Sequence, residues 1–220
     1  MSRGLFIVIE GIDGAGTTTQ TELLCGTIER KFNIECIKTR EPSDGPVGRL
    51  IRDILEKRIP PPRDAYGDEL AERDTLSLLF TADRMDHLQR DVIPAMRDGK
   101  TVVSDRYMHS TCAYQMKDAR HLEWILNLHT YTLVPDLTIF IDLPVSDALG
   151  RIRGRAGETD PEKADLFETK EQLDRISAGY KATIDKLKSR GDRIAVIDGR
   201  PGADEVHASI MNEVVSLYGK

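Results

Sequence analysis

The feature that most restricts the fold of this chain is a glycine-rich segment close to its N-terminus. Residues 11–19 follow a continuous apolar run, Leu5 to Ile9, and lead into Thr17 to Lys31, whose apolar positions have helical spacing. Glycines at this spacing between a strand and a helix are typical of a Walker A phosphate-binding loop. In such a loop, backbone N–H groups and the positive end of the helix dipole bind phosphate oxygens. The segment predicts a phosphate loop over residues 11–18 and an ATP site formed by Gly11, Ile12, Asp13, Gly14, Ala15, Gly16, Thr17, Thr18 and Thr19.

One position of this loop departs from the Walker A pattern. Thr18 occupies the place of the hydroxyl residue that reaches magnesium, but Thr17 stands where a lysine normally bridges the terminal phosphates. Taken by itself, the segment is also compatible with a tight strand-to-helix turn in which the threonines cap the helix. The rest of the sequence favours the phosphate loop.

Strand-like runs recur along the chain and alternate with helical segments. Runs of Val, Ile and Leu without polar alternation are typical of strands that are covered on both faces. The alternation predicts a single α/β domain over residues 1–220, with a five-stranded parallel sheet between helices and ligands at the carboxyl ends of the strands. The predicted strands are Leu5 to Ile9, Ile34 to Lys38, Thr101 to Ser104, Leu137 to Leu143 and Arg193 to Ile197, and the predicted exposed loops are Ile59 to Asp68 and Gly154 to Lys163.

The composition argues against several functions. The chain has 220 residues and a net charge of -6, whereas general affinity for a nucleic-acid polymer needs a concentrated excess of Lys and Arg. No apolar run approaches membrane-spanning length, and the N-terminus lacks a signal-peptide pattern. The cysteines, Cys25, Cys36 and Cys112, form no CxxC or Cys/His cluster, so neither a zinc site nor a disulfide framework is expected. These observations predict a cytoplasmic protein with reduced thiols.

Five blocks of residues carry a family resemblance. They are Phe6 to Gly16, Thr39 to Pro42, Leu78 to Phe80 with Ala82, Arg84 and His87, Ser104 to Tyr107 with Ser110 and Ala113 to Gln115, and Pro135 to Leu137. Together they resemble the thymidylate kinases, a family of P-loop nucleoside-monophosphate kinases. The resemblance implies a P-loop kinase fold with a small lid, and transfer of the terminal phosphoryl group of ATP to dTMP, with Mg²⁺ as cofactor, for dTTP synthesis. It further implies a homodimer built largely from helices between the second and fourth strands.

The resemblance assigns a group of residues to the phosphate end of dTMP. Arg40 and Arg106 follow predicted strands, where a guanidinium can bind a monophosphate through two parallel hydrogen bonds, although surface ion pairing is the alternative for both. Asp13 resembles the family acid that approaches the sugar 3'-hydroxyl and the transferring phosphate, and it is otherwise a turn-forming Asp. Pro42 and Ser110 belong to the same predicted substrate site.

Four further residues are assigned to the thymine pocket. Phe80 and Arg84 are four residues apart and share a helical face, so a ring can stack on the base while a guanidinium bonds an exocyclic carbonyl. Phe80 would otherwise be a core residue. Gln115 offers a donor and an acceptor to the thymine edge, although an isolated Gln is usually solvated, and Tyr114 is assigned to the wall of the pocket.

A metal site is predicted next to the phosphate loop. Asp105 stands where a Walker B acid follows its strand, so it and Thr18 are the candidate groups for Mg²⁺. The alternative role for Asp105 is that of an ordinary helix cap.

Three arginines at alternate positions precede the second glycine-containing loop. Arg151, Arg153 and Arg155 lie at the start of the predicted lid, about residues 151–165. In family members whose phosphate loop lacks an arginine, the lid supplies the cations that cross the ATP phosphates, and Ala15 places this chain with them. The three arginines therefore join Asp13 and Arg106 as candidate catalytic residues, with a solvated basic helix end as the alternative.

The sequence leaves two other functions and several residues open. A kinase for another monophosphate, such as dUMP, and a nucleotide-binding protein that has lost turnover with its lysine are the alternatives. Packing or subunit contact is expected for His121, Trp124 and His129, and Tyr180 is expected either to pack in the core or to contact nucleotide.

Overall fold

The computed structural model describes residues 3–60, 69–159 and 169–219, without the side chains of residues 69–71 and 155–159. Its strands are β1 (Phe6–Glu10), β2 (Cys36–Arg40), β3 (Thr101–Asp105), β4 (Leu137–Asp142) and β5 (Ile194–Asp198). They form one sheet in the order β2-β3-β1-β4-β5, and every neighbouring pair is parallel. The predicted five-stranded parallel sheet is confirmed, and no strand boundary differs from its predicted position by more than two residues.

Helices connect the strands and form two packed groups. They are α1 (Thr17–Phe32), α2 (Pro46–Leu55), α3 (Glu69–His87), α4 (Ile93–Arg97), α5 (Met108–Gln115), α6 (Ala119–Leu128), α7 (Val145–Thr159), α8 (Lys170–Ser189) and α9 (Ala203–Tyr218), and a π-helical turn, Leu88–Val92, joins α3 to α4. In one group, α1 and α9 pack against each other and against strands; in the other, α5 packs against α3 and α8. This arrangement is the expected sheet flanked by helices.

The central strand explains why the sequence lacks polar alternation. Phe6, Ile7, Val8 and Ile9 of β1 are fully buried, so side chains on both faces of the sheet lie under other elements. Strand β1 lies between β3 and β4, and the chain turns from its carboxyl end directly into the glycine-rich segment. This is the position at which open α/β sheets bind ligands.

One predicted loop is wrong over its first part. Helix α7 continues through Gly154 to Thr159, whereas the sequence predicted an exposed loop from Gly154 to Lys163. An isolated glycine costs a helix only about 1 kcal/mol, and the neighbouring arginines and Ala156 are good helix formers, so the helix persists. Residues 160–165 of the predicted lid and residues 61–68 of the other predicted loop lie outside the described residues.

A continuous hydrophobic core links the two ends of the chain. It includes side chains from Phe6 on β1 to Val214 on α9. In the part of the chain that the structure describes, no helix combines the length and the apolar character needed to cross a membrane.

Candidate active site

The phosphate loop has the geometry that its glycines predict. Gly14 and Gly16 have positive φ angles of 87° and 94°, and a Cβ on Gly14 would lie 2.8 Å from the Ala148 carbonyl oxygen. Gly16 is the N-cap of α1 and none of the described side chains caps this helix, so the threonines do not have the capping role left open by the sequence. Thr17, which stands where a Walker A loop normally has lysine, is the first residue of α1 and is buried.

A hydroxyl and a carboxylate meet beside this loop, as the sequence predicted. The Thr18 hydroxyl donates to Asp105 Oδ2 at 2.5 Å, and Asp105 Oδ1 is buried with no hydrogen-bond partner among the described residues. Tyr107, and not Asp105, is the N-cap of α5, so Asp105 has no capping role. Hydroxyl and carboxylate oxygens are hard ligands of the kind that Mg²⁺ prefers, and the unpaired oxygen fits such a group.

Arg106 is the centre of a second cluster of predicted residues. Its guanidinium donates to Asp13 Oδ1 at 2.6 Å, to Ser110 Oγ at 3.2 Å and to the Gly11 carbonyl oxygen at 3.2 Å. The Tyr114 hydroxyl donates to the other oxygen of Asp13 at 3.0 Å. Arg106 has a φ angle of 72°, which is uncommon for a residue with a side chain and occurs often at functional sites. The cluster joins the phosphate loop to the carboxyl end of β3.

Glu10 and Tyr180 contact Arg106 and its neighbours; the sequence assigned no role to Glu10, and Tyr180 packs in the core, one of its two predicted roles. Glu10, at the end of β1, is fully buried and accepts hydrogen bonds from the Ser110 hydroxyl at 2.6 Å and the Tyr180 hydroxyl at 3.0 Å. Burial would raise the pKa of Glu10, but His109, Ser110 and Arg106 lower it overall, so the group is a carboxylate. A signal for Glu10 was present, because it is an acid that ends an otherwise apolar strand.

The second predicted phosphate-binding arginine is exposed. Arg40, at the end of β2, donates to Asp44 Oδ1 at 3.2 Å, and Pro42 lies two residues further on, partly buried. A cavity of about 350 Å³ reaches from Arg40 to Thr18 and Asp105. Its walls combine two cations, three hydroxyls and three acids, a set of groups that can hold a phosphate group together with a metal ion.

The residues assigned to the thymine pocket lie on two helices that pack together. Phe80 on α3 is half-buried, and Gln115 at the end of α5 is buried. Arg84 is fully buried; its Nε atom donates to Glu41 Oε2 at 2.8 Å, and its terminal nitrogens contact Thr111 and His129. Sequence patterns could not reveal these partners of Arg84, since they are 27 to 45 residues away along the chain.

The arginines on α7 have different surroundings. Arg151 donates to the Gly199 carbonyl oxygen at 2.8 Å, and it lines a cavity of about 500 Å³ between the phosphate loop and the turn from β5 to α9. Arg153 is exposed on α7, and the side chain of Arg155 lies outside the described part. The cavity adjoins Gly14, Ala15 and Gly16 and has the volume of a small-molecule site.

Comparisons with known proteins match almost the whole chain. A family model described as "Thymidylate kinase" covers residues 9–210. The chain is 35% identical over 212 residues to a "Probable thymidylate kinase" of Thermococcus gammatolerans, covering 96% of each protein. It is also 35% identical over 221 residues to a "Thymidylate kinase" of Carboxydothermus hydrogenoformans, covering 99% of this chain and 100% of the relative.

Proposed function

The chain belongs to the thymidylate kinase family, and from this premise we propose that it transfers the terminal phosphoryl group of ATP to dTMP, giving ADP and dTDP for dTTP synthesis. The observation that carries the proposal is the Asp13–Arg106 pair, which joins the phosphate loop to the end of β3. The attacking oxygen of a monophosphate is already ionised, so no strong base is required. Catalysis then depends on positioning and on fixed positive charge.

ATP fits the loop and the larger cavity. Backbone N–H groups of residues 11–18 and the N-terminus of α1 bind its phosphates, and the cavity of about 500 Å³ beside Arg151 takes the rest of the nucleotide. The cavity of about 350 Å³ between Arg40 and Asp105 lies on the acceptor side. Arg40 and Arg106 bind the dTMP phosphate, and Pro42, Ser110, Phe80, Arg84, Tyr114 and Gln115 form the rest of the dTMP site.

Thr18 and Asp105 hold the magnesium ion. The unpaired Asp105 oxygen and the adjacent hydroxyl support this assignment. When bound, Mg²⁺ neutralises charge on the phosphates of ATP. Chelation should abolish turnover and added Mg²⁺ should restore it, whereas turnover that persists in excess chelator would contradict a metal role.

The family resemblance and the surface support a homodimer. Leu50 and Leu55 on α2 and Leu78 and Met85 on α3 are large apolar side chains that are 37% to 52% exposed, and these two helices pack together. Sedimentation should give twice the chain mass of 24.7 kDa, and a monomer at assay concentrations would contradict this. We also propose a cytoplasmic location, which cell fractionation would test.

Lid arginines supply part of the charge that the lysine at position 17 would provide. Arg153 is the candidate for this role because it is exposed on α7, between Arg151 and Gly154, which both line the ATP cavity. Replacing Arg153 with alanine should lower kcat by about 10-fold to 100-fold, as for a lost charge-assisted hydrogen bond, with little change in dTMP binding. Steady-state kinetics with Arg120→Ala, exposed on α6, as the control would check this. An unaltered kcat in the Arg153→Ala variant would contradict this role of Arg153.

Restoring the lysine should improve the ATP site. Thr17 begins α1 directly after the glycines, so the Thr17→Lys variant places an ammonium group beside the bound phosphates. We expect kcat/KM for ATP to rise about 10-fold, because the new hydrogen bond is charge-assisted, while KM for dTMP is unchanged. The matched variant Thr130→Lys, exposed just after α6 and outside the described site, should give no gain. Equal effects of both variants would contradict the interpretation of position 17.

Substrate preference is tested by coupled ADP release with ATP and Mg²⁺, comparing dTMP, dUMP, dCMP and dGMP. Highest kcat/KM with dTMP supports the proposal, and highest kcat/KM with dUMP would replace it with a related kinase. The threonine at position 17, in place of the Walker A lysine, favours a third possibility, a nucleotide-binding protein without turnover. Binding of ATP and dTMP without ADP release would establish that possibility.

A further inference from the structure

Tyr180 lies below the surface of the site and contacts its central arginine. It is on α8, is fully buried, and accepts a hydrogen bond from Arg106 Nη1 at 3.1 Å. Its hydroxyl also contacts Ser110 Oγ at 2.8 Å and donates to Glu10 Oε2 at 3.0 Å. The phenol thus connects a buried carboxylate to the guanidinium that faces the phosphate loop.

The backbone is built to bring this hydroxyl close to Arg106. Gly179, the preceding residue, allows α8 to approach α5, since a Cβ there would lie 2.5 Å from the Ala113 carbonyl oxygen. The Tyr180 ring packs against Phe140, with centroids 5.1 Å apart, so the ring is fixed as well as its hydroxyl. Burial and the charge of Glu10 raise the pKa of Tyr180 well above its ordinary value, and the phenol therefore keeps its proton.

We propose that Tyr180 is a positioning residue for Arg106: its hydroxyl, held by Glu10, fixes the guanidinium in the orientation that meets Asp13 and the substrate phosphates. This inference rests on the proposed kinase function. Arg106 has an uncommon backbone conformation and a long side chain. Without the Tyr180 hydroxyl, its Nη1 atom keeps only Ser110 Oγ and the Gly11 carbonyl oxygen as partners among the described residues. Tyr180 acts on phosphoryl transfer through Arg106, without touching substrate.

A pair of tyrosine variants tests the inference. Tyr180→Phe removes the hydroxyl and keeps the ring, and Tyr218→Phe is the matched control, because the Tyr218 hydroxyl contacts Thr101 at 2.7 Å at the opposite end of the sheet. We expect Tyr180→Phe to lower kcat and the affinity for dTMP about 10-fold, with KM for ATP and the affinity for thymidine, which lacks the phosphate, unchanged. The Tyr218→Phe variant should match the native protein in all four quantities.

The outcomes separate this inference from the proposed function. Equal kcat and equal dTMP affinity in Tyr180→Phe and the native protein would overturn the positioning role. A lower melting temperature with unchanged kinetics would show a merely structural role and would also overturn it. If the native protein binds dTMP without turnover, the kinase function fails, and the comparison of dTMP with thymidine affinity still decides whether Tyr180 positions Arg106.

A second inference rests on different residues, at the other end of the sheet. Cys25 on α1 and Cys36 at the start of β2 are free thiols whose Sγ atoms lie 2.6 Å apart. Cys25 is buried and Cys36 is partly exposed. The sulfur atoms are thus already in contact, although the sequence spacing gave no sign of a pair.

We infer that Cys25 and Cys36 are a site of oxidative modification and form an intrachain disulfide between α1 and β2. In the reaction with a low-molecular-weight disulfide, the two thiols lose two protons and two electrons as the Sγ–Sγ bond forms. The electrons and protons convert the external disulfide into two thiols. Cys36 begins β2 whereas the site lies at the carboxyl ends of the strands, so the cross-link should leave turnover unchanged.

Oxidised glutathione is the probe for this site. After oxidation in the folded state, the native protein should have lost two hydrogen atoms by intact mass and should melt roughly 5–10 °C higher. Alkylation after denaturation should then find one thiol, Cys112, which is buried in the folded protein. Peptide mapping should show the Cys25–Cys36 linkage. The Cys25→Ser variant should instead show no loss of hydrogen and no rise in melting temperature. Three thiols alkylated after denaturation, or a stable glutathione adduct on the native protein, would overturn the inference.

Discussion

Replacing Arg106 with glutamine is expected to lower kcat for dTMP by about 10³-fold. The guanidinium is fixed by Asp13 at 2.6 Å and by the Gly11 carbonyl oxygen at 3.2 Å, so it lies beside the phosphate loop before any substrate arrives. Phosphoryl transfer has little other chemistry for a protein to perform, because charge stabilisation and positioning supply most of the rate enhancement. A neutral amide keeps much of the length of the side chain and removes the charge.

The control for this variant is another arginine at the other end of the sheet. Arg193 precedes β5, is exposed, and donates to Ser216 Oγ at 2.6 Å. Steady-state kinetics should show native turnover for Arg193→Gln, and circular dichroism should show that both variants are folded at the assay temperature. A folded Arg106→Gln variant with kcat within about 10-fold of the native value would contradict the role of Arg106.

Replacing Glu41 with glutamine is expected to lower the free energy of unfolding by about 3–5 kcal/mol. Glu41 and Arg84 are both buried, and Glu41 Oε2 lies 2.6 Å from Arg84 Nη2. Among the described groups that hydrogen-bond to Arg84, Glu41 alone is anionic: Thr111 is neutral, and burial and then the charge of Arg84 lower the pKa of His129 to about 2. The glutamine variant leaves a buried guanidinium without a counter-charge.

Urea unfolding measures this effect, and a neighbouring acid provides the control. Asp44 lies in the same loop and pairs with Arg40 and Arg52, but its side chain is 79% exposed. The Asp44→Asn substitution should lower the free energy of unfolding by less than about 1 kcal/mol, because exposed ion pairs contribute little to stability. Equal losses of the free energy of unfolding in Glu41→Gln and Asp44→Asn would show that the buried ion pair contributes no more to stability than the exposed one.

The sequence was sufficient for the fold and for the backbone form of the glycine-rich loop. Uninterrupted apolar runs reveal strands that are buried on both faces, and the glycines of residues 11–18 reveal a loop that only their backbone freedom permits. Thr18 and Asp105 follow from the same logic, since the carboxyl ends of adjacent parallel strands meet at one edge. Their contact in the structure agrees with that expectation.

The contacts that organise the site could not be predicted in the same way. Helical spacing places Arg84 on the same face as Phe80, but it does not show that Glu41, 43 residues earlier, lies beside it in the core. Tyr180 is 74 residues from Arg106, and only the packing of α8 on α5 brings them together. The predicted loop begins at Gly154, inside helix α7, because glycine is a strong sequence signal for a loop. The same glycine destabilises a helix by only about 1 kcal/mol, so the helix continues past it.

Phosphoryl transfer by the native chain, with Thr17 in place, is the most direct test of the proposed kinase function. ATP labelled at its terminal phosphorus would be incubated with dTMP and Mg²⁺, and the products separated, with Arg106→Gln as the inactive control. We expect labelled dTDP and unlabelled ADP in equal amounts. Binding of both nucleotides by calorimetry without label in dTDP would contradict that function.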